Sequence, residues 1–175
     1  MRKRINIITV AIDSPAAAGA GTQAKLIAQE YNLLYLDTGK IYRYIGNLKL
    51  KQKKKFSYNL IKKKINKINF KDLNNLELLS DKVATSASKI SKDKKIREIV
   101  RSFQHNCAYN PPYKYSGSVL DGRDITSVIM KQAMFKFYIT ANINIRAKRR
   151  YEEFKKMKKK ITYNQVLKSL KNRDY

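Results

Sequence analysis

The chain has 175 residues, with 39 Lys and Arg against 13 Asp and Glu and a formal net charge of +26. That length suits one domain with enough interior to fold unaided, and a hydrophobic content of 43% excludes a disordered chain in spite of the charge. A single cysteine, Cys107, excludes an internal disulfide framework, and a single histidine, His105, excludes a His-rich metal centre.

The N-terminus imitates a secretory signal, with basic residues 1–4, an apolar run from Ile5 to Ile12 and small residues at Ala16, Ala17 and Ala18. Asn6 and Thr9 interrupt the run, however, and Asp13 stands where it should continue. Eight residues rich in Ile, Val and Thr read as a buried parallel strand. Nothing later has the apolar length of a membrane span, so a cytoplasmic protein is expected. A small-residue turn follows from Ser14 to Thr22. Ala24, Ile27, Ala28 and Tyr31 then recur at helical spacing, Leu33 to Leu36 form a short apolar strand, and Ile41, Tyr44, Ile45 and Leu48 make a second helical stripe. Strand, turn, helix, strand and helix in that order open a parallel α/β fold.

Residues 49–116 differ in character. Phe56, Leu60, Ile61, Ile65 and Ile68 are spaced for a helix beneath a lysine-coated face, and Ile96, Val100, Phe103 and Cys107 line another. This reads as a helical insertion, residues 49–116, within a core formed by residues 1–48 and 117–175. Strands return at Ser118 to Asp121 and at Phe135, Phe137 and Ile139. Thr162 with Gln165 forms a capping box that opens a last helix carrying Tyr163, Val166, Leu167 and Leu170 on one face. His105 and Cys107, two apart on a helix, face different ways and are given no chemical role.

The basic excess has two readings, a polyanionic partner or a coding bias towards Lys, Asn, Ile and Tyr. From Lys49 to Lys71 lysines are dense and acids absent, yet there is no aromatic–glycine RNA-binding pattern and no zinc-ligand pair. No specific nucleic-acid partner is expected. The lysine runs at 51–55, 62–64 and 155–160 read as solvated faces.

The turn after the first strand carries the chemistry. A strand, a loop of small residues and a helix make a phosphate cradle, because N–H groups at the helix start point at the anion. Against the pattern G-x-x-x-x-G-K-[ST], the chain has Ser14 for the first glycine, keeps Gly19, and has Ala20 where the lysine belongs, followed by Gly21 and Thr22. The contact residues of such a cradle are Ser14, Ala16, Ala17, Ala18, Gly19, Ala20, Gly21 and Thr22.

Four ordered blocks extend that pattern. They are Asp13 to Lys25, Tyr35-Leu36-Asp37-Thr38-Gly39-Lys40-Ile41-Tyr42-Arg43, Asp121-Gly122-Arg123-Asp124-Ile125 and Arg146-Ala147-Lys148-Arg149-Arg150-Tyr151. Together they resemble the bacterial cytidylate kinases, P-loop nucleoside monophosphate kinases, across essentially the whole chain. The resemblance implies a three-layer α/β fold with a parallel sheet, a helical monophosphate-binding insertion and a short lid near residues 143–160. It implies phosphorylation of CMP and dCMP from ATP with Mg²⁺, by a monomer. Thr38, Arg43 and Arg123 would then hold the sugar and phosphate of CMP, and Ser88, Arg97 and Asp124 would read cytosine. Arg146, Arg149 and Arg150 would clamp the ATP phosphates, with Arg123 among the catalytic arginines. Arg173 would reach the acceptor, and Asp121 would hold Mg²⁺ directly or through water. Arginine suits bidentate phosphate recognition, and phosphoryl transfer needs charge and positioning rather than a covalent nucleophile.

Three departures stand out. Ala20 removes the lysine that should meet the transferring phosphates, and Lys40 is a better-placed substitute than Lys25. Thr126-Ser127 and Lys131-Gln132 replace the family's Gly-Thr and Pro-Asp. The chain also stops soon after Arg173-Asp174, where relatives continue with further acceptor-site residues, a strand and a helix. The alternatives left open are a degenerate or truncated nucleotide-binding homologue without turnover, and a basic nucleic-acid-binding protein.

Overall fold

A computed structural model describes residues 7–174, the side chain of Arg173 excepted. Ile5 and Asn6 of the expected first strand, and the role expected of Arg173, lie outside the described residues. The elements run β1 (Ile8–Asp13), α1 (Ala20–Glu30), β2 (Leu33–Asp37), α2 (Thr38–Lys51), α3 (Tyr58–Asn66), α4 (Asp81–Ile90) and α5 (Lys94–Tyr109). They continue with β3 (Gly117–Gly122), β4 (Phe135–Tyr138), α6 (Ile143–Lys156) and α7 (Tyr163–Asp174). All strand pairings are parallel and the order is β2-β3-β1-β4, with Val10 opposite Val119 and Leu36 opposite Leu120.

Alternation along β1 divides the interior into two layers. Val10 and Ile12 face α1, packing on Ala20, Ala24, Ala28, Leu33 and Val119. Ala11 faces the other way, joining Leu34, Leu36 and Leu120 to Ile41, Ile45, Ile61, Ile65 and Val100 of α2, α3 and α5. A third cluster, Ala147, Phe154, Val166 and Leu170, joins α6 to α7 and reaches Ala16 and Ala17 of the turn after β1. Among the described residues no helix is long and apolar enough to cross a membrane.

Polar side chains start the helices. Ser57, Ser80 and Asp93 each accept a backbone N–H three residues on, at 3.3, 3.4 and 3.1 Å. The expected capping box is present: Thr162 Oγ1 accepts from Gln165 N, and Gln165 Oε1 accepts from Thr162 N. The helical stripe expected from Phe56 to Ile68 is shorter than its pattern, since α3 holds only residues 58–66 and Phe56 and Ile68 pack from its flanks. Helix α4 buries a short stripe, Val83, Ala87 and Ile90, and crosses α2 closely. There a Cβ on Gly46 would stand 2.9 Å from Ala87 N, and Ser86 donates to Gly46 O. Strand β4 is the sheet edge beside β1, and Phe135, Phe137 and Tyr138 on it are exposed.

Candidate active site

In a parallel sheet the ligand crevice lies at the carboxyl ends of the strands. Those ends carry the quoted blocks here. Asp13 leads into the small-residue loop, Asp37 caps α2, and β3 delivers Asp121, then Arg123 and Asp124. The loop takes two left-handed residues, Ala17 at φ 62° and Gly19 at φ 101°. Only the first is strained, because Gly19 has no Cβ. Gly19 O accepts from the N–H groups of Thr22 and Gln23, while those of Ala20 and Gly21 start α1 and have no intrahelical acceptor. An anion held there meets N–H groups and the positive end of α1.

Three arginines of α6 stand at this loop in different ways. Arg146 is buried and all three of its guanidinium nitrogens donate: Nε to Ala141 O, Nη1 to Ala16 O at 3.0 Å, and Nη2 to the Asp174 carboxylate at 2.6 Å. It ties the loop to α6 and α7 instead of presenting a free fork. Arg149 is exposed and donates from Nη1 to Ala18 O at 3.2 Å. Arg150 pairs with Glu153 and lies over the Phe154 ring. Its charge also reaches Arg43 of α2, whose guanidinium is bonded to Leu78 O at 2.7 Å. Burial first, and Arg150 second, lower the Arg43 pKa. The two cations come from separate elements, α2 and α6, and Arg43 is partly desolvated.

Asp121 lies beneath the loop. Burial, with the Asp37 carboxylate beside it, pushes its pKa up to about 7, while the Tyr35 hydroxyl and the more distant Lys25 pull the other way. Tyr35 donates to this carboxylate, and its own pKa is raised by burial and by Asp121. The second oxygen, Asp121 Oδ1, is buried without a hydrogen-bond partner. An orphaned carboxylate oxygen beside a second carboxylate and a phosphate cradle fits Mg²⁺, which takes one or two protein carboxylates and completes its shell with water and phosphate oxygens. Among the described residues there is no group of three or more His, Cys, Asp or Glu side chains placed to hold a metal ion.

On the other side of the crevice, Arg97 of α5 is ion-paired with Asp124 and donates to Ser91 O at 3.4 Å. Ser88 is exposed near the end of α4, and Ser91 Oγ donates to its carbonyl. Arg123 lies 3.9 Å from Asp174, which therefore faces two arginines. The Thr38 hydroxyl is buried and donates to Asp121 O, so it braces the end of β3. Lys40 does not take the place of the missing loop lysine, since its ammonium donates to Asn74 at 2.7 Å. Lys159, just past α6, donates to Asp81 at the start of α4 at 3.0 Å.

Two residues escaped the sequence analysis. Asp13, read only as the end of a strand, is buried and accepts from Ile125 N at 2.7 Å, Thr126 N at 3.1 Å and the Thr126 hydroxyl. It joins the phosphate loop to the turn bearing Arg123 and Asp124. Its signal was a carboxylate at the close of an apolar run, where burial demands donors. Tyr35, in an otherwise aliphatic strand, carried a similar signal, because a buried phenol needs a partner.

A parallel α/β sheet with a phosphate loop, a carboxylate beneath it and converging arginines defines the P-loop class of nucleotide kinases. Comparison with known proteins narrows the class. The family model for cytidylate kinase matches residues 10–175. The chain is 42% identical over 172 residues to a cytidylate kinase of Bartonella tribocorum, covering 94% of this chain and 75% of the relative. It is 40% identical over 168 residues to that of Bartonella henselae, with the same coverage. To a cytidylate kinase of Clostridium botulinum it is 35% identical over 179 residues, covering 96% and 80%. The chain belongs to the cytidylate kinase family.

Proposed function

We propose that this chain transfers the γ-phosphoryl group of ATP to CMP, and to dCMP, with Mg²⁺ bound at Asp121. The observation that carries the reading is the docking of α6 on the phosphate loop, where Arg146 donates to Ala16 O and Arg149 to Ala18 O, with Arg43 of α2 partly buried on a second element. Cations on separate elements suit two phosphate-bearing molecules meeting in one cleft.

A CMP phosphate oxygen forms the new bond to the γ-phosphorus as the bond to the bridging oxygen of ADP breaks, giving CDP and ADP. The acceptor phosphate is largely dianionic at neutral pH and needs no general base, so the absence of a histidine or cysteine from the crevice is no obstacle. The loop N–H groups and Arg149 hold the donor phosphates. Arg43, Arg123 and Arg150 neutralise charge where the two molecules meet, and Arg146 keeps the loop in place. The metal ion, when bound, would neutralise charge shared between the donor phosphates. Asp124 accepts from the cytosine amino group, while Arg97, and Ser88 after a side-chain turn, donate to its carbonyl and ring nitrogen. The lid lies within residues 143–160 and the acceptor-binding insertion within residues 49–116.

The test is phosphoryl transfer by the purified chain with MgATP, following CDP from CMP with UMP and AMP in parallel. CDP formation well above the rates with UMP and AMP is the expected result. A chain folded by circular dichroism that forms no CDP rejects the proposal.

A further inference from the structure

The phosphate loop lacks the cation its pattern requires. In loops of this kind the residue after the last glycine is a lysine that meets the β- and γ-phosphates. Ala20 occupies that position and is buried. Backbone N–H groups supply only partial charges, so a triphosphate in this loop still needs a full positive charge from elsewhere.

Four cations are near enough to consider. Arg146 is buried, ion-paired with Asp174, and donates from its other two nitrogens to Ala141 and Ala16. Lys40 is turned to Asn74. Lys25 is exposed five positions past Ala20, about 1.4 turns down α1 and about 7.5 Å along its axis. Arg149 remains. Its Nη1 rests on Ala18 O at 3.2 Å and stands 3.5 Å from where a Cβ on Gly19 would lie. The guanidinium therefore sits on the lip of the loop, over the glycine that precedes Ala20. Of the five N–H donors of an arginine, one goes to Ala18, and the planar fork keeps others for phosphate oxygens.

We propose that Arg149 supplies the charge the loop has lost with its lysine, so that donor triphosphate binding in this chain depends on residue 149 in place of residue 20. This rests on the kinase reading above and extends it to a division of labour within α6: Arg146 holds the loop and Arg149 serves it.

The test is a cycle of four full-length chains: wild type, Arg149→Ala, Ala20→Lys and the double variant. MgATP affinity is read by calorimetry and kcat/KM for ATP by CDP formation. Arg149 is exposed, and circular dichroism checks each fold. Arg149→Ala should lower kcat/KM about 100-fold or more, the loss typical of one preorganised charged donor, and should weaken ATP binding about 10-fold. In the Ala20→Lys background the same substitution should lose less than about 10-fold, since a lysine at position 20 makes Arg149 redundant. Arg149→Lys, which keeps the charge without the fork, should fall between. Equal losses in both backgrounds overturn the proposal, as does wild-type ATP binding by Arg149→Ala, or transfer of the loss to Lys25→Ala. A chain that binds ATP through Arg149 but makes no CDP supports this assignment and rejects the CMP reaction. CDP formation undiminished in Arg149→Ala does the reverse.

Discussion

Replacing Asp13 by alanine tests the joint between the two halves of the site. The Asp13 carboxylate is buried and accepts from two backbone N–H groups and one hydroxyl of residues 125 and 126. Alanine leaves those donors without acceptors, at about 1–3 kcal/mol for each buried N–H. The Thr126 hydroxyl can rotate to other partners and adds little. The expected destabilisation is therefore about 3 kcal/mol, which at an m-value of about 2 kcal/mol/M moves the urea midpoint down by about 1.5 M. Asparagine retains one acceptor oxygen for Ile125 N but turns an amide N–H₂ towards Thr126 N, so about 1–2 kcal/mol is expected. The π-helical turn from Ile125 to Ile129 begins at these bonds, and Asp124 O accepts from Val128 and Ile129 within it. Loosening the turn should displace Arg123 and Asp124 and leave the first turn of α1 in place. KM for CMP should rise about 10-fold or more in Asp13→Asn, with KM for ATP changed less than about threefold. A midpoint within about 0.3 M of wild type for Asp13→Ala, or a KM change falling on ATP, refutes the reasoning.

Further outcomes follow from other contacts. Arg97 and Asp124 form a partly exposed pair, so Arg97→Ala should alter stability by less than about 1 kcal/mol while raising KM for CMP at least 10-fold, as urea melts and initial rates will show. A Cβ on Gly122 would lie 2.5 Å from Thr38 Oγ1 and 2.9 Å from the Ile125 side chain, so Gly122→Ala should lower the melting temperature by the equivalent of about 1–3 kcal/mol and reduce turnover. Asp121 is buried against Asp37, so Asp121→Asn removes a like-charge contact and should leave the apo chain as stable as wild type or about 1 kcal/mol more so, with Mg²⁺-dependent turnover reduced at least 100-fold. A destabilised Asp121→Asn would instead mark the carboxylate as structural. Ile61→Ala, at a fully buried position between α3 and the sheet-facing core, should lose about 2–5 kcal/mol in urea melts without changing KM for either nucleotide.

Much of this molecule was legible in the chain because it is written in local periodicity. The apolar run ending at Ile12, the helical stripes of α1 and α5, the Thr162–Gln165 capping box and the small residues after β1 each report on neighbours within a few positions, where backbone geometry is set by sterics. That is sufficient for element types, for the parallel α/β class and for the place of the phosphate loop. Partners distant in the chain were another matter. Asp13 finds its donors 112 and 113 residues away, and Arg146 finds Ala16 130 residues away. A periodic pattern shows which face is buried but not what covers it. Hence α4, whose buried stripe is only Val83, Ala87 and Ile90 among small polar residues and whose seat is a glycine crossing, was missed. For the same reason Arg146 and Arg149, alike as basic residues of one helix face, could not be separated into a buried clamp and an exposed guanidinium at the loop. Only docking α6 on the loop desolvates one guanidinium and leaves the other in the crevice, because three positions along a helix turn two side chains to neighbouring but unequal surroundings.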